Sequence, residues 1–178
     1  MLVFVLLTHW FHHDRPDEMG LTLHELRGNA RLILPLAAAI YAPVIVLALA
    51  RHRDALFPSG KIAIERFLTY GVWCCFQQYL MQSYFHRRLR SLMHTPHLSS
   101  ALVAIMFAGA HLPNLLLVAI TAGGGFIMAK IFARRPNIWP LALAQAVGGI
   151  LVAAVAPPAL IRDMRVGPGY WKVRPGPG

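Results

Sequence analysis

Acidic residues are scarce in this chain. Seven Asp and Glu stand against seventeen Lys and Arg among 178 residues, and the four charged types make up only 13% of the composition. Hydrophobic residues account for 57%, and they form runs of about twenty residues, the length that a helix needs to cross a bilayer. So little charge in so apolar a sequence excludes an ordinary soluble domain and predicts a polytopic membrane protein.

A continuous basic surface is missing too, although the formal net charge is +10. The basic residues stand almost wholly between the apolar runs, where they can meet anionic headgroups. They include Arg51, Arg53, Arg87, Arg88, Arg90, Arg134, Arg135 and those of the tail. Because no basic stripe interleaved with aromatic residues continues across an element, we predict membrane lipids as partners and no nucleic acid.

Cysteine is limited to Cys74 and Cys75, which are neighbours inside an apolar run. Adjacent helical positions point about 100° apart, so the pair is a poor start for a metal site. Small buried hydrophobic side chains are the favoured interpretation.

Histidine is more frequent, but no histidine pattern completes a ligand set. His9 and His13 lie one helical turn apart, with His12 between them, and a metal site is the alternative to interfacial histidines at a membrane edge. No Cys or carboxylate pattern accompanies them, so we favour the interfacial interpretation. His94 and His97 are spaced HxxH, but a proline lies between them and we interpret them as loop residues. We therefore predict no metal and no cofactor.

Five apolar runs predict an all-α, polytopic membrane helix bundle of about five transmembrane helices. The runs cover residues 30–50, 62–85, 98–120, 123–135 and 138–161. We expect the bundle at 30–161, preceded by a partial helix and polar interfacial link at 1–29 and followed by a basic tail rich in Gly and Pro at 162–178. The first ten residues are apolar, too short to span and unlike a signal peptide, so we expect the native start to lie upstream.

Three amides interrupt the second run, at Gln77, Gln78 and Gln82. Each brings donors and acceptors that hydrocarbon cannot satisfy. Gln78 and Gln82 are four residues apart and therefore share a helix face. These amides need polar partners on neighbouring helices.

His111 is the histidine that lies in the core of an apolar run, where an ionisable group is a functional hypothesis by default. Pro113 has no backbone donor, so we expect an interrupted helix there and a Gly109 carbonyl without its helical partner. Asn114 shares a face with His111 if the helix continues. Gln145 in the last run completes a set of inward-facing polar side chains.

The order and spacing of these residues resemble the CPBP family of intramembrane proteases, also called the CAAX protease and bacteriocin-processing or Abi family. That family carries an EExxxR motif, then FxxxH, then HxxxN or HxxxD in a later helix. The counterparts within a CPBP-like core at 67–155 are Gln77-Gln78 with Gln82, Phe107 with His111, and Gln145 with Gly149.

The resemblance implies an intramembrane endopeptidase that cleaves membrane-associated or lipidated peptides. In the family the first glutamate and the histidine of the second motif are thought to activate water, and the third motif stabilises the oxyanion. Only His111 is retained here, because a glutamine amide has no usable basicity at pH 7 and Gly149 has no side chain. The candidate catalytic residues are His111, Gln77, Gln78, Gln145 and Asn114.

Three hypotheses follow. The first is an endopeptidase with a divergent site, in a multi-pass protein of a bacterial plasma membrane. The second is a catalytically inactive relative, a pseudoprotease or immunity-type protein, that binds a membrane peptide or partner. The third is that the amides and His111 only tie helices together.

Overall fold

The computed structural model describes residues 2–51, 60–93 and 95–171, and every regular element in these ranges is helical, which confirms the all-α prediction. The elements are α1 Leu2–Phe11, α2 Leu26–Arg51, α3 Gly60–Gln78, the π-helical turn Tyr79–His86, α4 Arg87–Leu92, α5 Pro96–Gly109, α6 Leu115–Arg134, α7 Trp139–Val155, α8 Pro158–Ile161, and two 3-10 turns, Arg162–Met164 and Gly167–Trp171. The predicted loop residue His94 lies outside the described ranges.

Two of the described helices are long and apolar enough to cross a membrane, Leu26–Ala50 in α2 and Leu115–Arg134, which is α6. The shorter apolar helices are α1, α5 and α7. A span of the hydrocarbon core needs about 20 residues when the helix is not tilted. Length and hydropathy therefore establish two candidate spans, and the count of about five transmembrane helices stays a prediction.

The main core forms where α2, α6 and α7 meet. Ile33 of α2, Phe132 of α6 and Leu141 of α7 are buried together in one apolar cluster. On its other side α7 packs against α3, where Cys74 contacts Ala142. Cys74 is a buried free thiol, as expected of a small hydrophobic side chain.

Gly125, the last of three consecutive glycines at 123–125, lets α5 and α6 approach closely. A Cβ atom on Gly125 would lie 3.2 Å from the Phe107 ring and 3.5 Å from Cα of Ala104, tighter than most side-chain contacts. Gly125 therefore provides a packing notch between the two helices, whereas Gly123 and Gly124 have open space around them.

The chain bends sharply between α5 and α6, at the predicted interruption. α5 ends at Gly109, the Leu112-Pro113 peptide bond is cis, and α6 begins at Leu115. The expected orphan carbonyl is absent, because the backbone N–H of Leu112 donates to the Gly109 carbonyl at 3.1 Å. His111 therefore lies on a turn that joins two helices.

The N-terminal helix is held against the π-helical turn. Val5 of α1 is buried against Leu80 and Tyr84. His9 is buried, with its Nδ1 atom 2.6 Å from an Asp14 carboxylate oxygen, and its place at a membrane edge stays a prediction. His12, in contrast, is exposed.

Asp14 joins this N-terminal segment to α4. This helix is the basic end of the continuous helical segment 60–92, which we call the long helix. Its carboxylate accepts hydrogen bonds from Arg87, at 3.0 Å, and from Arg88. Burial acts to raise the pKa of Asp14, but the hydrogen bonds from His9 and Arg88 and the neighbouring guanidinium charges outweigh it and hold the pKa below the usual 3.8. Arg87 also pairs with the more exposed Glu18 at 2.9 Å. We call these five residues the charged cluster.

Candidate active site

Three of the predicted polar side chains meet between α3 and α7. Nε2 of Gln145 donates to Oε1 of Gln77 at 2.6 Å, and Oε1 of Gln145 accepts from Nε2 of Gln78 at 2.6 Å. Nε2 of Gln78 also contacts Sδ of Met128 on α6 at 3.2 Å. We call the set Gln77, Gln145 and Gln78 the amide ladder, since each member uses another as its partner inside an apolar bundle.

One acceptor of the amide ladder is unused. Gln78 is 1% exposed, and its Oε1 atom is buried with no hydrogen-bond partner among the described residues. Buried polar atoms are rarely left in this state. The atom therefore keeps an unused lone pair inside the bundle, next to the contact with Gln145.

The remaining glutamine of the second run stands apart from the ladder. Oε1 of Gln82 lies 3.2 Å from Nδ1 of His86, whose Nε2 lies 3.2 Å from the Ser100 hydroxyl. His86 follows the end of the apolar run and is fully buried. Burial, Arg90 and Lys130 lower the pKa of His86 to about 4, so its imidazole is neutral at pH 7 and ties α5 to the long helix.

His111 presents a basic nitrogen. Nδ1 lies 2.7 Å from the carbonyl oxygen of Phe107, and because a carbonyl can only accept, Nδ1 carries the proton in this contact. The imidazole also packs edge-on against the Phe107 ring, with centroids 4.9 Å apart. In the neutral imidazole this contact selects the tautomer whose lone pair is on Nε2, the one that a general base requires.

His111 and Gln145, the member of the amide ladder on its wall, line a cavity of about 100 Å³. Since one water needs only about 10 to 15 Å³ of such volume, several waters fit. The polar side chains on its wall are Tyr41, Tyr70, His111, Thr121 and Gln145, and the rest of the wall is apolar or glycine. Gln77 and Gln78 reach this cavity through Gln145, and Met164 closes it from the C-terminal segment.

Asn114 is not brought to the cavity wall. It caps α6, where its Oδ1 atom accepts from the backbone N–H of Leu117 at 3.3 Å. Its Nδ2 group donates to the carbonyl oxygens of Ile161, at 2.9 Å, and Arg165, at 3.3 Å. Both ends of the amide are thus used to hold the start of α6 against the C-terminal segment.

Two tyrosines approach the glycines of the third motif. A Cβ atom built on Gly149 would lie 2.2 Å from the Tyr70 hydroxyl oxygen, and one on Gly148 would lie 2.5 Å from that of Tyr41. Side chains at these positions would collide with the tyrosines, so glycine is required for the close approach. The Tyr41 hydroxyl donates to the carbonyl oxygen of Ala144 at 2.9 Å.

The carboxylates nearest in sequence to the site do not replace the missing ones. Glu25, which directly precedes α2, pairs with Arg135 at 3.2 Å. Glu65 is exposed and lies on an open groove outside the cavity. No group of three or more His, Cys, Asp or Glu side chains that could hold a metal occurs among the described residues. The prediction of a metal-free site stays a prediction.

Sequence reasoning missed the tyrosines and the π-helical turn. Tyr70 precedes Gln77 by seven residues, two helical turns, so their common face on α3 was a usable signal. Tyr41 gave no such signal, because it reaches the site from a different helix. The π-helical turn begins directly after Gln78, a placement found often at functional sites.

The fold and this cavity together define a class, a membrane-type helix bundle with a polar site enclosed by apolar helices. The family model for type II CAAX prenyl endopeptidase Rce1-like proteins matches residues 60–151. That match covers just over half of the chain and includes the amide ladder and His111, so the chain belongs to this family, and the resemblance to CPBP proteases is confirmed. No curated protein and no solved structure matches the chain.

Proposed function

We propose that this protein is a CAAX-protease-type intramembrane endopeptidase that cleaves a membrane-associated or lipidated peptide at a site without carboxylates. The observation that carries the proposal is the free Nε2 of His111 on the wall of a cavity that Gln145 also lines. The family match supports the reaction class. The apolar outer surface of α2, where Val46 is 67% exposed, supports a multi-pass protein, which we assign to a bacterial plasma membrane.

His111 acts as the general base in this proposal. Its Nε2 atom takes a proton from a water in the cavity, and the oxygen of that water attacks the scissile carbonyl carbon. The contact between Nδ1 and the Phe107 carbonyl fixes the imidazole in the required tautomer. A positioned base contributes about 10² to 10⁴-fold to a rate, which makes this a slow enzyme beside one that also has a carboxylate.

The glutamines hold one another in position and stabilise the charge that develops on the scissile carbonyl oxygen. Nε2 of Gln145 uses one N–H on Gln77, and the second can donate to the developing oxyanion. Gln77 and Gln78 hold Gln145 in place from α3. Gln78 acts on the reaction only through this contact, because it is buried and is not part of the cavity wall.

Binding without cleavage is the second candidate, and a specific observation favours it. None of the described residues on the cavity wall is an Asp or a Glu, so the site lacks the base that the family uses. A protein of this kind would hold a membrane peptide and leave it intact.

Hydrolysis by the purified protein in lipid vesicles separates these candidates. The probe is a farnesylated peptide that ends in a CaaX sequence and carries a fluorophore and a quencher on either side of the scissile bond. We expect measurable turnover by the wild-type protein and a loss of about 10² to 10⁴-fold in His111→Ala. Unchanged turnover in that variant would refute the role of His111, and binding without turnover in the wild type would establish the second candidate.

His12→Ala is the matched control. Nδ1 of His12 lies 2.9 Å from the carbonyl oxygen of Thr8, four residues earlier, which is the same local contact that His111 makes with Phe107. His12 is exposed and away from the cavity. Its replacement should leave turnover unchanged.

A further inference from the structure

Tyr70 occupies the place of a side chain that the third motif lacks. Its hydroxyl oxygen lies 2.2 Å from the position that a Cβ atom of residue 149 would take, a separation that real Cβ contacts do not show. The phenol therefore fills the space that any side chain at Gly149 would enter. This brings a proton donor of α3 to the face of α7 that carries Gln145.

Most hydrogen-bond donors on the cavity wall already donate to an acceptor within the protein. The Tyr41 hydroxyl donates to the Ala144 carbonyl at 2.9 Å, and the Thr121 hydroxyl donates to the Leu117 carbonyl at 2.6 Å. Nδ1–H of His111 is used on Phe107, and one N–H of Gln145 is used on Gln77. Among the described residues that line the cavity, Tyr70 has the one hydroxyl that donates to no protein oxygen.

Tyr70 also borders a second space. Tyr70 lies on the wall of the cavity and, with Glu65, Thr69 and Trp73, on an open groove of about 490 Å³. Along α3 its polar neighbour is the thiol of Cys74, one turn on, and a thiol is a weak acceptor. A peptide carbonyl brought to this boundary would be a stronger acceptor than the thiol.

We propose that Tyr70 is a further catalytic residue, whose hydroxyl donates to the oxyanion of the scissile peptide. The role rests on the proposed endopeptidase function. Water adds to the carbonyl carbon as His111 Nε2 takes one of its protons, and the carbonyl electron pair moves onto oxygen, which the Tyr70 hydroxyl and Gln145 then hydrogen-bond. The C–N bond breaks as the proton on His111 passes to the leaving nitrogen, which gives one carboxylic acid and one amine.

Tyr70→Phe tests this role because it removes the donor and keeps the ring that packs against Gly149. In the farnesylated-peptide assay we expect kcat to fall about 10² to 10³-fold, the usual effect of deleting one oxyanion donor, with KM little changed. Tyr84→Phe is the matched control, since Tyr84 is buried against Val5 and Leu80 and is not part of the cavity wall, and it should keep its kcat.

A side-chain exchange adds a gain of activity to the test. Tyr70→Ala clears the space over Gly149, and adding Gly149→Asn to it supplies an amide donor from the opposite helix. The double variant should be more active than Tyr70→Ala alone, whereas Gly149→Asn alone should be inactive because its side chain meets the Tyr70 ring.

The outcomes separate the two proposals. Wild-type turnover that Tyr70→Phe leaves unchanged would overturn the role of Tyr70 and leave that of His111 intact. Absence of wild-type turnover would overturn both, and a lowered kcat in Tyr70→Phe with no gain in the exchange variant would show that the hydroxyl acts without replacing a side chain at 149.

Discussion

One helical segment, residues 60–92, contributes side chains to both the amide ladder and the charged cluster, and these two sets of residues differ in how their polar groups are satisfied. Gln77 and Gln78 lie in the middle of an apolar run and bind another amide at 2.6 Å. Arg87 and Arg88 follow the end of that run and bind the carboxylate of Asp14. Neutral partners are used inside the apolar bundle, and ions are used at the basic end of the segment, where both arginines keep some exposure.

The energetics explain this division. Moving an ion into a low-dielectric interior costs several kcal/mol even after relaxation, whereas a hydrogen bond between neutral side chains in a membrane bundle stabilises it by about 0.6 to 2 kcal/mol. Amides at 77 and 78 therefore stabilise the bundle without that penalty. The cost is chemical, because the proposed site is then left with His111 as its base.

The largest stability loss should come from the charged cluster. Asp14→Asn replaces the carboxylate that pairs with Arg87 and Arg88 by a neutral amide. The amide oxygen can still accept a hydrogen bond, but it cannot neutralise the two guanidinium charges. We expect a loss of about 2 to 3 kcal/mol in unfolding free energy, less than the roughly 3 to 5 of a fully buried pair, because both arginines keep some exposure, 20% and 23%. At about 2 to 4 °C per kcal/mol for a chain of this size, thermal unfolding in detergent will show it.

Glu18→Gln is the control for that variant. Glu18 pairs with Arg87 at 2.9 Å but its side chain is 54% exposed, and exposed pairs contribute only about 0 to 1 kcal/mol. Acid gives a second check, since a lowered pKa in the folded protein stabilises it above the usual 3.8. The contribution of Asp14 should be lost as the pH falls below 3.8, and Asp14→Asn should remove that dependence; equal stability of Asp14→Asn and Glu18→Gln would contradict the account.

A smaller loss is expected from the amide ladder. Gln78→Leu keeps the volume of the side chain and leaves Oε1 of Gln145 without its 2.6 Å donor. We expect about 1 to 2 kcal/mol of destabilisation together with a fall in peptide turnover, because Gln145 is no longer held in position.

Gln82→Leu sharpens the comparison. Gln82 is as buried as Gln78, at 2% against 1%, but its partner is His86. It should cost stability and leave turnover unchanged. If both variants lower stability alone, the polar side chains only tie helices together, and the proposed function loses its support.

The sequence alone predicted part of the fold and part of the candidate site. The all-α fold and the break near Pro113 followed from apolar run lengths and from the missing donor of proline. The contact of Gln145 with Gln77 and Gln78 was expected, because an amide in an apolar run needs a polar partner.

Other parts depended on pairs that only the fold creates. Asn114 was expected beside His111, but an amide at the first turn of α6 satisfies helix-end N–H groups, and that local demand prevailed. Gly149 carries no side chain and so gave no hint that Tyr70 fills its space. The partnership of Asp14 with Arg87 and Arg88 joins residues more than seventy positions apart, beyond the reach of helical periodicity.

The central claim is that the site keeps its shape while His111 alone supplies its base, and turnover by Gln77→Glu tests it most directly. Oε1 of Gln77 already accepts from Gln145 at 2.6 Å, so a carboxylate fits the existing contact and adds a second base. We predict that turnover of the farnesylated peptide rises by about tenfold or more over the wild type, with folding intact. Equal or lower turnover in a folded Gln77→Glu protein would contradict the claim.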